Sequence, residues 1–156
     1  DTTGRSPLSY AVKLGHEAMA KLLINMGASI EAMKSLGQTP LHRAAINGRK
    51  KVAALLLEKG AFANCLDKLG KSPLPYAAKS GHETLLEKGS SIDNTDKDRQ
   101  TPLYLAANNG HTPVIKLLIS NEACLDIKDK HGQLPTHLAA NYGSRFDVEV
   151  LLRNGA

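Results

Sequence analysis

Residues 38–45 read QTPLHRAA, and variants of this stretch recur along the whole chain of 156 residues. Its proline returns at intervals of 33, 33, 29 and 33 residues, at Pro7, Pro40, Pro73, Pro102 and Pro135. A second series, of glycines eight residues after each proline, keeps the same intervals. Two series in one phase indicate a tandem array of five units, because a fixed period of this length is typical of stacked supersecondary structure.

The second unit shows how each unit folds. Thr39 is a favourable N-cap and Pro40 a favourable first helical residue, since proline lacks an N–H where a helix has no internal acceptor for one. Gly48 can adopt the left-handed conformation that ends a helix. The apolar stripe over residues 52–56 predicts a second short helix that ends near Gly60, and an exposed hairpin loop follows.

Helices this short are marginal in water, so their stability has to come from packing against neighbouring units. The composition suits that architecture, because aromatic residues make up only 4%, Trp is absent, and the 42% of hydrophobic residues are mainly small or aliphatic. We therefore expect a one-dimensional solenoid of helical units.

The stretch at 38–45 resembles the Thr-Pro-Leu-His-x-Ala signature of the ankyrin-repeat family, and related stretches occur at residues 6–11, 72–78, 101–107 and 134–140. The resemblance covers the whole chain and implies an all-α ankyrin-repeat solenoid of stacked helix-turn-helix units with hairpin loops. It predicts a single domain over residues 1–156, with units at 1–33, 34–66, 67–95, 96–128 and 129–156. Neither terminal unit has a polar outer face, so we expect a fragment of a longer array.

Two departures from the pattern lead to structural expectations. Arg99 and Glu122 replace glycines that recur in the other units, and they predict backbone strain if those positions are left-handed. In the third unit, Gly81 and Gly89 lie eight residues apart instead of twelve, a loss of about one helical turn. Either this unit is genuinely shortened or four residues are missing from the sequence, and both interpretations stay open.

The patterns expected of catalytic and cofactor sites are not formed. Gly70-Lys71-Ser72 imitates the end of a phosphate-binding loop, but Cys65 stands where that motif needs a glycine. The histidines recur at equivalent repeat positions, which favours structural hydrogen bonds over metal or catalytic roles. We therefore predict a protein that is not an enzyme and needs no cofactor or metal.

Cell compartment and nucleic-acid binding follow from composition. Two cysteines, no glycosylation acceptor and no apolar run near about 18 residues predict an intracellular protein, cytoplasmic or nuclear, without direct membrane insertion. Residues 49–51 form the only basic cluster and stacking aromatics are few, so nucleic acid is an unfavoured ligand.

The resemblance implies that another protein is the partner, bound by the hairpin tips and the exposed side of the first helices. In the first three units those positions combine basic and apolar residues, which predicts a partner that is acidic or has an apolar anchor. The predicted contact residues are Arg5, Lys13, Leu14, Leu36, Gln38, Ile46, Asn47, Lys68, Leu69, Lys71 and Lys79. Residues 1–66 carry nine Lys or Arg against four Asp or Glu, whereas the rest of the chain is balanced.

Alternatives to this interpretation stay open. Leu36 and Leu69 could instead pack against neighbouring hairpins. The array could also act as a rigid spacer or regulatory element inside a larger receptor, channel, enzyme or effector protein. Finally, the resemblance implies possible hydroxylation of Asn64, which lies eight residues after Leu56, although Phe62 departs from the acidic or amide residue usual two positions before the target.

Overall fold

The computed structural model describes residues 6–34, 36–83 and 90–156. Across these ranges all the regular structure is helical, which confirms the all-α prediction. The helices are α1 (Pro7–Leu14), α2 (Glu17–Asn25), α3 (Pro40–Ile46), α4 (Lys50–Glu58), α5 (Pro73–Lys79), α6 (Pro102–Asn108), α7 (Thr112–Ser120), α8 (Pro135–Tyr142) and α9 (Arg145–Arg153).

The helices form two layers. The first helices of the five units, α1, α3, α5, α6 and α8, pack side by side in chain order. On the second layer α2 packs against α4 and α7 against α9, and each of these four also packs against the first helix of its own unit. The predicted second helix of the third unit falls mostly on residues 84–89, which lie outside the described residues, so both interpretations of that unit stay predictions.

Each first helix begins at the proline of the repeated stretch, as the sequence predicts. Ser6 and Thr101 act as N-caps, because their hydroxyls accept hydrogen bonds from the backbone N–H of Ser9 at 3.2 Å and of Tyr104 at 3.1 Å. Gly48 follows α3 with a φ of 62°, in the left-handed region that the sequence predicts for it. The starts of these helices thus follow local capping chemistry.

Small and branched aliphatic side chains fill the core between units. Paired alanines in the middle first helices are fully buried and let neighbouring backbones approach closely, while one leucine per helix fills the remaining space. These residues are Ala44, Ala45, Ala77, Ala78, Ala106 and Ala107, with Leu41, Leu74 and Leu103. Because these side chains pack against the neighbouring first helices, stacking of the units completes the core.

The two substituted glycine positions are left-handed, which is the condition for the strain considered from the sequence. Arg99 has a φ of 61° and Glu122 a φ of 64°, and among the described residues they are the non-glycine residues with positive φ. Gly132, the equivalent of Arg99 in the last unit, has a φ of 78°. Both substituted residues therefore occupy a conformation that glycine adopts without steric cost.

The recurring histidines serve the packing between units. His111 packs against Gly81, where an added Cβ would lie 2.8 Å from the imidazole, and its Nε2 contacts the carbonyl of Lys79 at 2.9 Å. His42 is fully buried between two units: its Nδ1 accepts the backbone N–H of Thr39 at 3.2 Å, and its Nε2 bonds to the carbonyl of Lys71 at 3.0 Å. The structural role predicted for these residues agrees with their contacts.

Candidate functional site

Buried aspartates set the shape of the hairpin tips in the last three units. In each tip one carboxylate oxygen accepts the backbone N–H groups two and four residues further along. The distances are 2.8 and 3.0 Å for Asp67, 2.9 and 2.9 Å for Asp96, and 2.8 and 2.8 Å for Asp129. Each tip is thereby closed by a side chain of its own unit.

In the third unit the first helix adds to this closure. The Tyr76 hydroxyl donates to Asp67 Oδ2 at 2.6 Å. Burial tends to raise the pKa of Asp67, but the hydrogen bonds from Tyr76 and from the two backbone amides outweigh it and hold that pKa below its ordinary value. Burial and the adjacent carboxylate raise the pKa of Tyr76 to about 12. The pair is therefore an ionised carboxylate held by a neutral phenol.

We call the hairpin tips of the second and third units, together with the exposed sides of α1, α3 and α5, the tip–helix face. Leu14, Leu36 and Leu69 are 53%, 51% and 47% exposed on it, so about half of each leucine remains open to a partner. Lys13, Lys68 and Lys79 are also exposed, and Ile46 and Asn47 are half-buried. Arg5 lies outside the described residues.

Two predicted contact residues are less accessible than the sequence indicates. Gln38 is only 7% exposed, so it has little surface to offer a partner. Lys71 forms an ion pair with Asp96 at 2.9 Å, in which the lysine side chain is 17% exposed and the aspartate 1%. The Lys71 ammonium also lies 5.9 Å from the centre of the Tyr76 ring. Lys71 thus joins the third unit to the fourth.

The sequence analysis missed two basic residues of this face, Lys34 and Arg43. Lys34 stands six residues before the repeat proline, where the later units have aspartate, and its Nζ donates to Ser9 Oγ at 2.8 Å. Arg43 occupies in α3 the position that Tyr76 occupies in α5. The two residues could have been found by aligning the five units on their prolines, because the alignment places Lys34 and Arg43 at the positions of Asp67 and Tyr76.

Charge separates the two ends of the array. The described part of the tip–helix face carries six cationic side chains and a single carboxylate, that of Asp67. The six are Lys13, Lys34, Arg43, Lys68, Lys71 and Lys79. In the last two units the equivalent positions carry three cations and three carboxylates, and Lys130 pairs with Asp98 at 2.6 Å. The described part of the face in the first three units therefore has an excess of cationic over acidic side chains, whereas the equivalent positions of the last two units are balanced.

Asn64 belongs to a second series of bonds between units. Its Oδ1 accepts the backbone N–H of Ser91 at 2.7 Å, and it is exposed. Equivalent bonds join Glu31 to the N–H of Phe62 at 2.9 Å and Asp93 to the N–H of Cys124 at 3.0 Å. The amide of Asn64 thus links the second unit to the third, and its hydroxylation stays a prediction.

Other kinds of site were searched for within the described residues. No group of three or more His, Cys, Asp or Glu side chains there could hold a metal ion. Cys65 and Cys124 are both free thiols. None of the described helices has the length and apolar character needed to cross a membrane.

Comparison with known families agrees with the geometry. A family model described as ankyrin repeats (3 copies) matches residues 8–96 and again residues 82–156, so that together the two matches cover almost the whole chain. The comparison with curated proteins gave no match.

Proposed function

Since the chain belongs to the ankyrin-repeat family, whose domains are generally protein–protein interaction modules and typically not catalytic, we propose that it recognises a partner protein through the tip–helix face of its first three units. The partner segment lies across the tips of the hairpins and along the exposed side of α1, α3 and α5. The chain then acts as a scaffold or adaptor that holds this segment.

The observation that supports this proposal most directly is the exposure of three leucines, one at the end of α1 and two at hairpin tips. Leu14, Leu36 and Leu69 come from three successive units and are each about half exposed. The exposed lysines among them form no ion pair with a described residue. Apolar anchors surrounded by a charged rim are the usual anatomy of a protein interface, in which water is excluded from the centre.

Affinity capture with the intact chain tests this proposal. Leu14→Ser, Leu36→Ser and Leu69→Ser are combined in one variant, and captured proteins are identified by mass spectrometry. We expect the specific partners to be lost, because each substitution removes an apolar anchor, while helical circular dichroism stays unchanged since none of the three is buried.

A matched control removes as many exposed apolar residues from the second-helix layer, with Leu22→Ser, Met26→Ser and Leu152→Ser, and it should retain the partners. Equal capture by the parent chain and the leucine variant would show that the tip–helix face is not the interface. If the parent chain captures nothing specific, a spacer role inside a larger protein becomes the better explanation.

A further inference from the structure

We propose that the second unit carries a carboxylate-binding site, formed by Arg43 and Lys34, that holds an acidic side chain of an extended partner segment. The inference rests on the proposed function and specifies the partner chemistry: the segment combines Asp or Glu with an apolar residue. It follows from comparing the second unit with the third, whose hairpin has the same two backbone hydrogen bonds but a carboxylate at the position of the Lys34 ammonium.

The hairpins of the two units have the same backbone hydrogen bonds. In the second, the N–H of Lys34 donates to the carbonyl of Gln38 at 3.2 Å and the N–H of Gly37 to the carbonyl of Lys34 at 2.7 Å. In the third, the equivalent bonds around Asp67 are both 3.0 Å. The lysine has therefore replaced the aspartate without loss of these two backbone hydrogen bonds.

The side chains at this corner are chemically inverted. The third unit holds its own carboxylate there, which receives backbone amides and the hydroxyl of Tyr76. The Lys34 ammonium can only donate, so residue 34 cannot supply an acceptor, and its Nζ instead reaches Ser9 of the first unit. The second unit thus has two cationic side chains, Lys34 and Arg43, at the positions where the third unit has Asp67 hydrogen-bonded to Tyr76.

Arg43 is the member of this pair that lacks a counterpart. Its Nε is buried and has no hydrogen-bond partner, and its guanidinium forms no ion pair with any described residue. A buried polar group in this state is destabilising until a partner is supplied. The planar guanidinium matches the two oxygens of a carboxylate, which makes an Asp or Glu side chain the fitting ligand.

The surroundings indicate that the carboxylate belongs to a peptide. Leu36, about half exposed, and the half-buried Ile46 lie in the same unit, so a bound segment can place an apolar residue beside its acidic one. A nucleic acid would leave these apolar side chains unused. Of the two tyrosines at the equivalent position of the neighbouring first helices, Tyr76 is half-buried and held by Asp67, which leaves Tyr10, 40% exposed, as a stacking partner for a base. The positive face of the first three units favours an acidic segment throughout.

The third unit itself supplies the test variant. Combining Lys34→Asp with Arg43→Tyr gives the second unit the Asp–Tyr pair of the third, so the hairpin gains an acceptor for its amides and the fold should be retained. A control variant, Lys21→Glu with Lys59→Gln, makes the same change in net charge on exposed residues of the second-helix layer. Arg43→Met is a further variant that keeps most of the aliphatic packing and removes only the charge.

Fluorescence anisotropy with labelled peptides measures the effect. The probes are a peptide of alternating Glu and Leu, the same peptide with Gln in place of Glu, and a single-stranded oligonucleotide. We expect the Glu peptide to bind the parent chain and the control, and both Arg43 variants to raise its Kd by about tenfold or more, the scale of a lost charge-assisted pair. The Gln peptide should bind all variants weakly.

Equal affinity of the Glu peptide for the parent chain and for both Arg43 variants would overturn the proposal. The proposal would also be overturned if the oligonucleotide bound the parent chain more tightly than the Glu peptide and lost this binding in the Arg43 variants, because the site would then hold phosphate. Loss of captured partners in the leucine variant, without loss in the Arg43 variants, would retain the proposed function and reject the carboxylate site. If neither the leucine variant nor the Arg43 variants change binding, both the proposed function and the carboxylate site are rejected.

Discussion

Replacing Arg99 and Glu122 by glycine should stabilise the protein. Both residues hold left-handed backbone conformations, with φ of 61° and 64°. A side chain in this region costs about 1–2 kcal/mol from the clash of its Cβ with the following carbonyl. Glycine avoids the clash but loses about 0.5–1 kcal/mol more conformational entropy on folding. Each substitution should therefore add about 0.5–1 kcal/mol to the free energy of unfolding.

The two sites lie in different loops, so their effects should add, and the double variant should gain about 1–2 kcal/mol. For a domain of this size each kcal/mol raises Tm by about 2–4 °C. Chemical and thermal unfolding followed by circular dichroism measure both quantities. The reverse change, Gly132→Arg, is the matched control, because an added Cβ at Gly132 meets nothing within 4 Å and only the backbone conformation opposes it.

The control should lose about as much stability as Arg99→Gly gains. If Arg99→Gly lowers the free energy of unfolding, the strain argument is wrong and the arginine side chain contributes more than its conformation costs. If Gly132→Arg is neutral, the left-handed position carries no steric cost in this hairpin, and the same conclusion follows for Arg99.

Three further predictions concern contacts between units. Lys71→Met should lower the free energy of unfolding by about 2–4 kcal/mol, because the buried Asp96 carboxylate loses its counterion. Chemical denaturation measures this change, and Lys68→Met, at an exposed lysine, is the control. Equal losses of stability in the two variants would contradict the prediction. Burial lowers the pKa of His42, so below pH about 6.5 the unfolded chain takes up the proton first. The free energy of unfolding should therefore decrease as the pH is lowered from this value to the pKa of the folded state. If the parent chain and His42→Gln show the same pH dependence, the histidine is not the cause of it. Asn64→Ala should cost about 1 kcal/mol through the lost bond to Ser91, and an intact mass without added oxygen in protein from native cells would dismiss hydroxylation of Asn64.

The helix boundaries could be predicted closely because they depend on neighbouring residues in the chain. The start of α3 at Pro40 and the left-handed turn at Gly48 follow from capping chemistry within one unit. The left-handed Arg99 followed from the same kind of comparison, since glycine recurs at its position in other units. Periodicity then supplied the stacking, because short amphipathic helices have to cover one another's apolar faces.

The accessibility of the candidate site could not be predicted in the same way. Gln38 and Lys71 lie at positions that the family resemblance associates with partner contacts, yet one is buried and the other is paired with Asp96. Sequence alone gives no measure of whether a long side chain turns to solvent or to the next unit. That choice depends on which charge the next unit presents.

What the sequence by itself determined is the repeat: five units, an all-helical stack, and the positions where the backbone turns left-handed. These properties are local or periodic, so they can be read along the chain. What only the tertiary structure decided is which cations are free. Lys71 is neutralised by Asp96, 25 residues away in the sequence, whereas the buried Nε of Arg43 has no partner. The difference arises because packing between units brings a carboxylate to one cation and leaves the other without one.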